Sequence, residues 1–221
     1  MLFDKLLACG IQLHKDTLAL RPYIKHVGLR STICAVMLQV AELDKNKYKI
    51  VCDPFCGKST IIAESLGSNQ HYGCFFLMSD VSDKQLSLSS ENMFGLGHNL
   101  DLINACLKQT HCLPYLDHSI DIIITDLPFG KQHSIDESFF THSESYKREN
   151  FYLKIINEFK RIIVKNEGVL VILVNRNDVK IFENCIEESN SSEAKFKKFI
   201  ILKSQRLDLG ETVAVLYKLT N

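Results

Sequence analysis

The chain alternates short apolar runs with longer stretches in which apolar residues return at helical spacing. Apolar runs at 48–53, 73–80, 121–126 and 169–174 predict strands, with a weaker one near 102–109. Helical patterns cover about 29–43, 58–66, 83–95, 149–164 and 177–188. Two last strands, 196–207 and 212–219, flank Asp208-Leu209-Gly210, a hairpin signal. Polar stretches fill the rest: a loop at 131–148 holding His133 and His142, and a break at 189–193. The order predicts an α/β fold of βα units ending in an antiparallel pair. Helix crossovers imply parallel strands, with ligands at their carboxyl ends.

Three of these strands end in an acid: Asp53, Asp80 and Asp126. Around Asp126 the chain reads Asp-Ile-Ile-Ile-Thr-Asp-Leu-Pro-Phe-Gly over 121–130. Such a strand delivers a carboxylate, a fixed carbonyl (Leu127) and a flat ring (Phe129) to one point. Pro128 fixes its own φ and biases Leu127 to an extended shape, which aims that carbonyl. Methylation of a nucleobase amino group needs such a set. That nitrogen is planar and poorly nucleophilic, acceptors on its N–H bonds help localise its lone pair, and a ring clamps the flipped base. The same residues also suit an ordinary tight turn, so this stretch alone leaves both readings open.

Around Asp53 the chain reads Ile-Val-Cys-Asp-Pro-Phe-Cys-Gly-Lys-Ser-Thr over 50–60, a strand, a glycine turn and the start of a helix. Backbone N–H groups and the helix dipole at such a junction point at a ligand. A triphosphate loop would need glycine at position 52, where cysteine stands; Pro54 removes an N–H and Asp53 repels phosphate. A dinucleotide loop would need three spaced glycines, and only Gly57 is present. A cationic sulfonium cofactor, S-adenosyl-L-methionine, turns the acid into an asset. Asp80 sits where a carboxylate can accept from both ribose hydroxyls, although capping the next helix, with Ser82, is the competing role.

Together these elements resemble class I methyltransferases, in particular the RNA guanosine-N2 methyltransferases whose catalytic domain follows a THUMP domain. The family's Asp-Pro-Phe-Cys-Gly-Ser-Gly-Thr loop is matched by Asp53 to Thr60, and its Asp-(Pro or other)-Pro-(Phe/Tyr)-Gly signature by Asp126 to Gly130. Upstream, Arg21-Pro22-Tyr23 and Leu29-Arg30-Ser31-Thr32 look like the family's approach to its first domain helix. The resemblance implies a Rossmann-like seven-stranded sheet, mostly parallel with one reversed strand and helices on both faces. It implies cofactor contacts from Asp53, Pro54, Phe55, Cys56, Gly57, Thr60, Asp80, Val81 and Thr32, and a catalytic set of Asp126, Leu127, Pro128 and Phe129. It also implies an RNA substrate, tRNA first or a spliceosomal small nuclear RNA, and pairing with a small zinc-binding activator. Ser59 departs from the pattern where a second glycine is usual, and Gln109–Pro114 lacks the usual third-strand acid.

Composition changes the picture in one respect. The 221 residues, 46% hydrophobic, suit one domain with a full core. Neither a membrane-spanning run nor a signal peptide is read, and the eight cysteines, without a C-x-x-C pair, suit reduced buried thiols inside a cell better than a metal site. Lys plus Arg and Asp plus Glu, however, are both 26, a net charge of zero where an RNA binder usually shows a basic excess. Basic residues cluster only at Arg21, Lys25, His26 and Arg30, and at Lys195, Lys197, Lys198, Lys203 and Arg206. Residues 1–30 are then expected to be a lead-in after an RNA-gripping region, with the catalytic domain over 31–221. Rival readings are an amino-methyltransferase of protein glutamine or DNA adenine, and a binding subunit that has lost catalysis.

Overall fold

A computed structural model describes residues 2–3, 6–7, 21–43, 48–67, 73–96, 103–107, 112–128, 144–191, 198–210 and 212–221. Strands β1 (Leu2–Phe3) and β2 (Leu6–Leu7) pair antiparallel as a ribbon of their own. The main elements then follow as α1 (Ser31–Ala41), β3 (Lys49–Asp53), α2 (Thr60–Gly67), β4 (Cys74–Asp80), α3 (Asp83–Gly95), β5 (Ile103–Leu107), β6 (Ile122–Asp126), α4 (Glu144–Ile162), β7 (Val169–Asn175), α5 (Val179–Ser191), β8 (Ile200–Asp208) and β9 (Val213–Thr220). Seven strands form one sheet in the order β5-β4-β3-β6-β7-β9-β8. All its pairs are parallel except those made by β9, the one reversed strand.

Strand periodicity explains the layering. On β7, Val171 and Leu173 pack with Cys34, Met37 and Leu38 of α1 and with Ile61 and Ile62 of α2. Their neighbours Leu170, Ile172 and Val174 pack with Ile155, Phe159 and Ile162 of α4 and with Phe182 and Ile186 of α5. All five β7 residues are fully buried, so the strand must be apolar on both faces. Full burial of such a side chain contributes roughly 1.5–3 kcal/mol against leaving it exposed.

Strand β8 starts four residues later than expected, at Ile200, and two helix boundaries differ by three or more residues. Helix α4 begins at Glu144, not near 149, because its first turns are used in packing: Arg148 pairs with Asp178 at 2.8 Å and Phe151 meets Phe55 at 5.9 Å between ring centres. The remainder of the predicted loop, 131–143, lies outside the described residues. Helix α5 runs through the expected polar break to Ser191. Ser189 donates to Asn157 Oδ1 at 2.7 Å, and the Asn190 amide bonds both the N–H and the carbonyl of Phe199. Polar residues that all find partners continue a helix instead of ending it.

From Arg21 onward the expected lead-in is packed structure. Arg21 clamps Glu64 of α2 through Nε at 2.9 Å and Nη2 at 2.7 Å, and Tyr23 donates to the same carboxylate at 2.8 Å. Asn92 of α3, fully buried, accepts from the N–H groups of Lys25 and His26 and donates to the carbonyls of His26 and Lys58. These bonds strap residues 21–30 over the start of α2. Arg21→Ala should leave Glu64 buried with only Tyr23 beside it and cost about 2 kcal/mol, since Arg21 itself is partly exposed. That predicts a fall of about 4–8 °C in the calorimetric midpoint; a shift under about 1 °C would show that Glu64 finds another partner.

Candidate active site

The sheet order turns at β3 and β6: the chain proceeds outward from β3 to β5, then restarts at β6 and proceeds the other way. A crevice opens at such a point, outside the carboxyl ends of the strands. Asp53 and Asp126 end the two strands that flank it, and Asp80 ends the next strand, β4. Three acids far apart in sequence therefore stand on adjacent strands at one edge.

Each acid has a different environment. Asp53 is 1% exposed, and its Oδ1 accepts from Thr125 Oγ1 at 2.7 Å and from the Phe55 N–H at 3.2 Å. Burial pushes its pKa up to about 7 against the pull of those two donors, with the charge of Asp80 adding to the rise. Asp126 has a buried Oδ1 without a hydrogen-bond partner among the described residues. Burial first, and then the Asp53 charge, push Asp126 up to about 8. Asp80 accepts from the Gly57 N–H at 2.9 Å and from the Ser82 N–H at 2.8 Å. The helix cap on α3 is Ser82, whose side chain accepts from the Gln85 N–H at 3.4 Å. Asp80 instead ties the glycine turn after β3 to the end of β4.

The turn itself is tight. Gly57 has φ +50, and a Cβ built there meets no atom within 4 Å, so open space lies over it. Ser59 also adopts a left-handed φ of 57, which explains why a glycine suits that position. The conformation costs a side chain about 1–2 kcal/mol, and Ser59 offsets part of it through a 2.5 Å hydroxyl contact with buried Ser89. Pro54, Cys56 and Thr60 are buried, with Thr60 packed beneath Gly28, whose added Cβ would meet it at 3.3 Å. Phe55 packs toward Phe151, Thr32 is half-buried in the first turn of α1, and Val81 is 66% exposed at the crevice mouth. Only part of the expected cofactor set thus faces open space; the rest shapes the backbone.

Beyond Asp126 the backbone stays in register. The Leu127 N–H donates to the Leu173 carbonyl at 3.1 Å, which fixes its peptide plane one residue past β6, and its side chain is buried. Phe129 lies outside the described residues, as do His111, Lys195, Lys197 and the first half of Gln109–Pro114. Of the six cysteines whose side chains are described, Cys112 is exposed and the others are buried; burial pushes the Cys34 and Cys56 thiols up, which keeps them inert. Among the described residues no His, Cys, Asp or Glu group could hold a metal ion, and no helix is long and apolar enough to cross a membrane.

The donor set suits a cation better than an anion. The Gly57 N–H that a phosphate would use is held by Asp80, and two further carboxylates border the crevice. The sequence alone does not single out Thr125, Glu64 or Asn92. Thr125 lies in the apolar run 121–126, where an isolated hydroxyl is its only signal. Sheet order, reversed strand and acid-lined crevice define a Rossmann-like class I methyltransferase fold. The chain belongs to the family described as "UPF0020: RMKL-like, methyltransferase domain", which matches residues 19–206. It is similar to U6 snRNA (guanine-N(2))-methyltransferase THUMPD2 of Bos taurus, at 34% identity over 75% of this chain and 29% of the relative. It is similar also to tRNA (guanine(6)-N(2))-methyltransferase THUMP3 of Homo sapiens, at 29% identity over 83% of this chain and 36% of that protein. The chain thus spans about a third of the length of these curated relatives. Among solved structures, TrmN from Thermus thermophilus superimposes with a TM-score of 0.72 at 18% identity, over 96% of this chain and 55% of that one.

Proposed function

We propose that this chain carries the catalytic domain of an S-adenosyl-L-methionine-dependent RNA methyltransferase that forms N2-methylguanosine. The observation behind the reading is Asp126: a buried acceptor oxygen without a partner among the described residues, on the strand beside the Asp53–Gly57 turn. An amino group is the natural complement of such an oxygen, since an unpaired buried acceptor costs about 1–3 kcal/mol until a donor reaches it. In the reaction the guanine nitrogen gains a methyl group and loses one proton. Asp126 Oδ1 orients the N–H and is the acceptor at hand for that proton, while the Leu127 carbonyl receives the second N–H. Phe129 supplies the ring that holds the flipped base.

The cofactor supplies an electrophilic methyl on a sulfonium. Asp53 and Asp80 favour that positive charge, Asp80 is the acceptor for ribose hydroxyls, and exposed Val81 offers an apolar wall. The relatives' names point to tRNA or U6 small nuclear RNA as the substrate, hence to work inside the cell, in cytoplasm or nucleus. A small zinc-binding activator remains part of the proposal on family resemblance alone.

The test is incubation with cofactor and cellular RNA, followed by mass spectrometry of the digested nucleosides. N2-methylguanosine that depends on both enzyme and cofactor is the expected product. N6-methyladenosine in DNA, or methylated glutamine in protein, would move the chain to the rival amino-methyltransferases. Failure to bind the cofactor in a calorimetric titration would favour the non-catalytic reading.

A further inference from the structure

We infer that three arginines at the carboxyl rim of the sheet, Arg30, Arg176 and Arg206, form a seat for the RNA backbone beside the Asp126 pocket. The inference rests on the RNA methyltransferase reading and adds to it a surface that the basic clusters of the sequence do not delineate.

Most of the first basic cluster is committed elsewhere. Arg21 is clamped on Glu64, and Lys25 and His26 both meet Glu91. Arg30 differs: it is exposed, and no ion pair is formed by it among the described residues. Its guanidinium lies against the β8–β9 hairpin, with Nη2 3.3 Å from where a Cβ on Gly210 would stand. Arg206 of the second basic cluster stands on β8, the strand that leads into that hairpin, on the Val215 face, so the two clusters approach the rim from the two faces of the sheet.

Sheet topology sets that place at the functional edge. Strand β8 runs parallel to β7 and so ends at the carboxyl rim, where β9 begins. Arg206 pairs across Val215, which in turn pairs with Val174 near the end of β7. Arg176 follows directly after β7 and is exposed. Asp126 is in register with Leu173 on β7, one strand away. Strand rise and spacing put Arg176 roughly 10 Å from Asp126, Arg206 roughly 15 Å and the hairpin tip roughly 20 Å away, within the reach of nucleotides flanking a flipped base. The two described acids nearby are engaged: Asp208 Oδ1 accepts from the Gly210 N–H at 2.9 Å, and Asp178 is held by Arg148 and Tyr152.

Guanidinium groups suit phosphates because they stay charged and bind two oxygens at once. Three such contacts also agree with the zero net charge. Neutralising about three phosphates predicts a salt slope of only about −2 to −3, shallow for an RNA-binding protein.

The test is equilibrium binding of this chain to a labelled tRNA transcript across a potassium chloride series, with cofactor affinity measured in parallel. Arg30→Ala, Arg176→Ala and Arg206→Ala should each flatten the slope by about 0.7–0.9, and the triple variant should bind at least tenfold more weakly at the lowest salt. Lys165→Ala, in the turn before β7 at the opposite edge, should change neither quantity. Cofactor affinity should be the same throughout, which separates loss of the seat from loss of the fold. A triple variant that keeps its affinity and slope overturns the inference. So does an equal loss in Lys165→Ala, absence of measurable RNA binding by the unsubstituted chain, or equal competition by a polyglutamate of matched charge, which would identify an acidic protein surface instead. Each of these can occur with cofactor binding and N2-methylguanosine formation intact, in which case only the seat is wrong.

Discussion

Asp126→Asn should reduce methyl transfer by about 10²–10⁴-fold while leaving cofactor affinity within a few-fold and making the ligand-free protein more stable at pH 8. Asparagine keeps the shape and one acceptor but cannot form the carboxylate that draws the amino proton. The gain in stability follows from burial. Folding raises the Asp126 pKa from 3.8 to about 8, so the folded chain holds a proton that the unfolded chain releases. Below about pH 4 both states are protonated and the ionisation contributes nothing. Between about 4 and 8 the unfolded state binds fewer protons, so stability falls as pH rises, and above about 8 the penalty is complete. Asparagine removes that slope, and at pH 8 a gain of about 1 kcal/mol would raise the midpoint by about 2–4 °C. Thermal melts from pH 5 to 8.5, beside single-turnover methylation rates, check both halves. A variant that methylates near the unsubstituted rate removes the assigned role, whatever its stability does.

The opposed effects on activity and stability locate what the sequence could convey. Strand ends were legible because an apolar run that stops at an acid is a local pattern: Asp53, Asp80 and Asp126 fall on their strands' last residues as expected. Their neighbourhood followed from the βα order, which forces the carboxyl ends to one edge. Glu64 and Asn92 were illegible, because a polar residue in a helix reads as solvent-facing until its partner is known. Their partners come from residues 21–26, dozens of positions away in the chain. Ser59 was legible only as a departure. Its φ of 57 gives the reason that a family pattern places glycine there, and its contact with Ser89, on another helix, could not be read from the loop. The basic clusters misled in a similar way. Adjacency in sequence grouped Arg21 with Arg30, whereas packing sends one to Glu64 and the other to the hairpin.

Asp80→Ala should weaken cofactor binding by roughly ten- to hundredfold, the range expected from losing charge-assisted hydrogen bonds of about 1.5–3 kcal/mol. Two causes contribute. The carboxylate holds the Gly57 N–H and the Ser82 N–H, so its removal loosens the turn beneath the cofactor. Each oxygen still has a free lone-pair direction, and Asp80 is only partly buried, which leaves it able to accept from ribose hydroxyls. A double-mutant cycle separates the two. The natural cofactor and an analogue lacking both ribose hydroxyls are titrated into the unsubstituted protein and into Asp80→Ala, with circular dichroism confirming that both are folded. If Asp80 grips the ribose, the unsubstituted protein prefers the natural cofactor and the variant loses most of that preference. If the acid only fastens the Gly57 turn, both ligands weaken by the same factor and the preference survives. The second outcome would leave Asp80 as a brace of the loop and return the ribose contact to another residue of the rim.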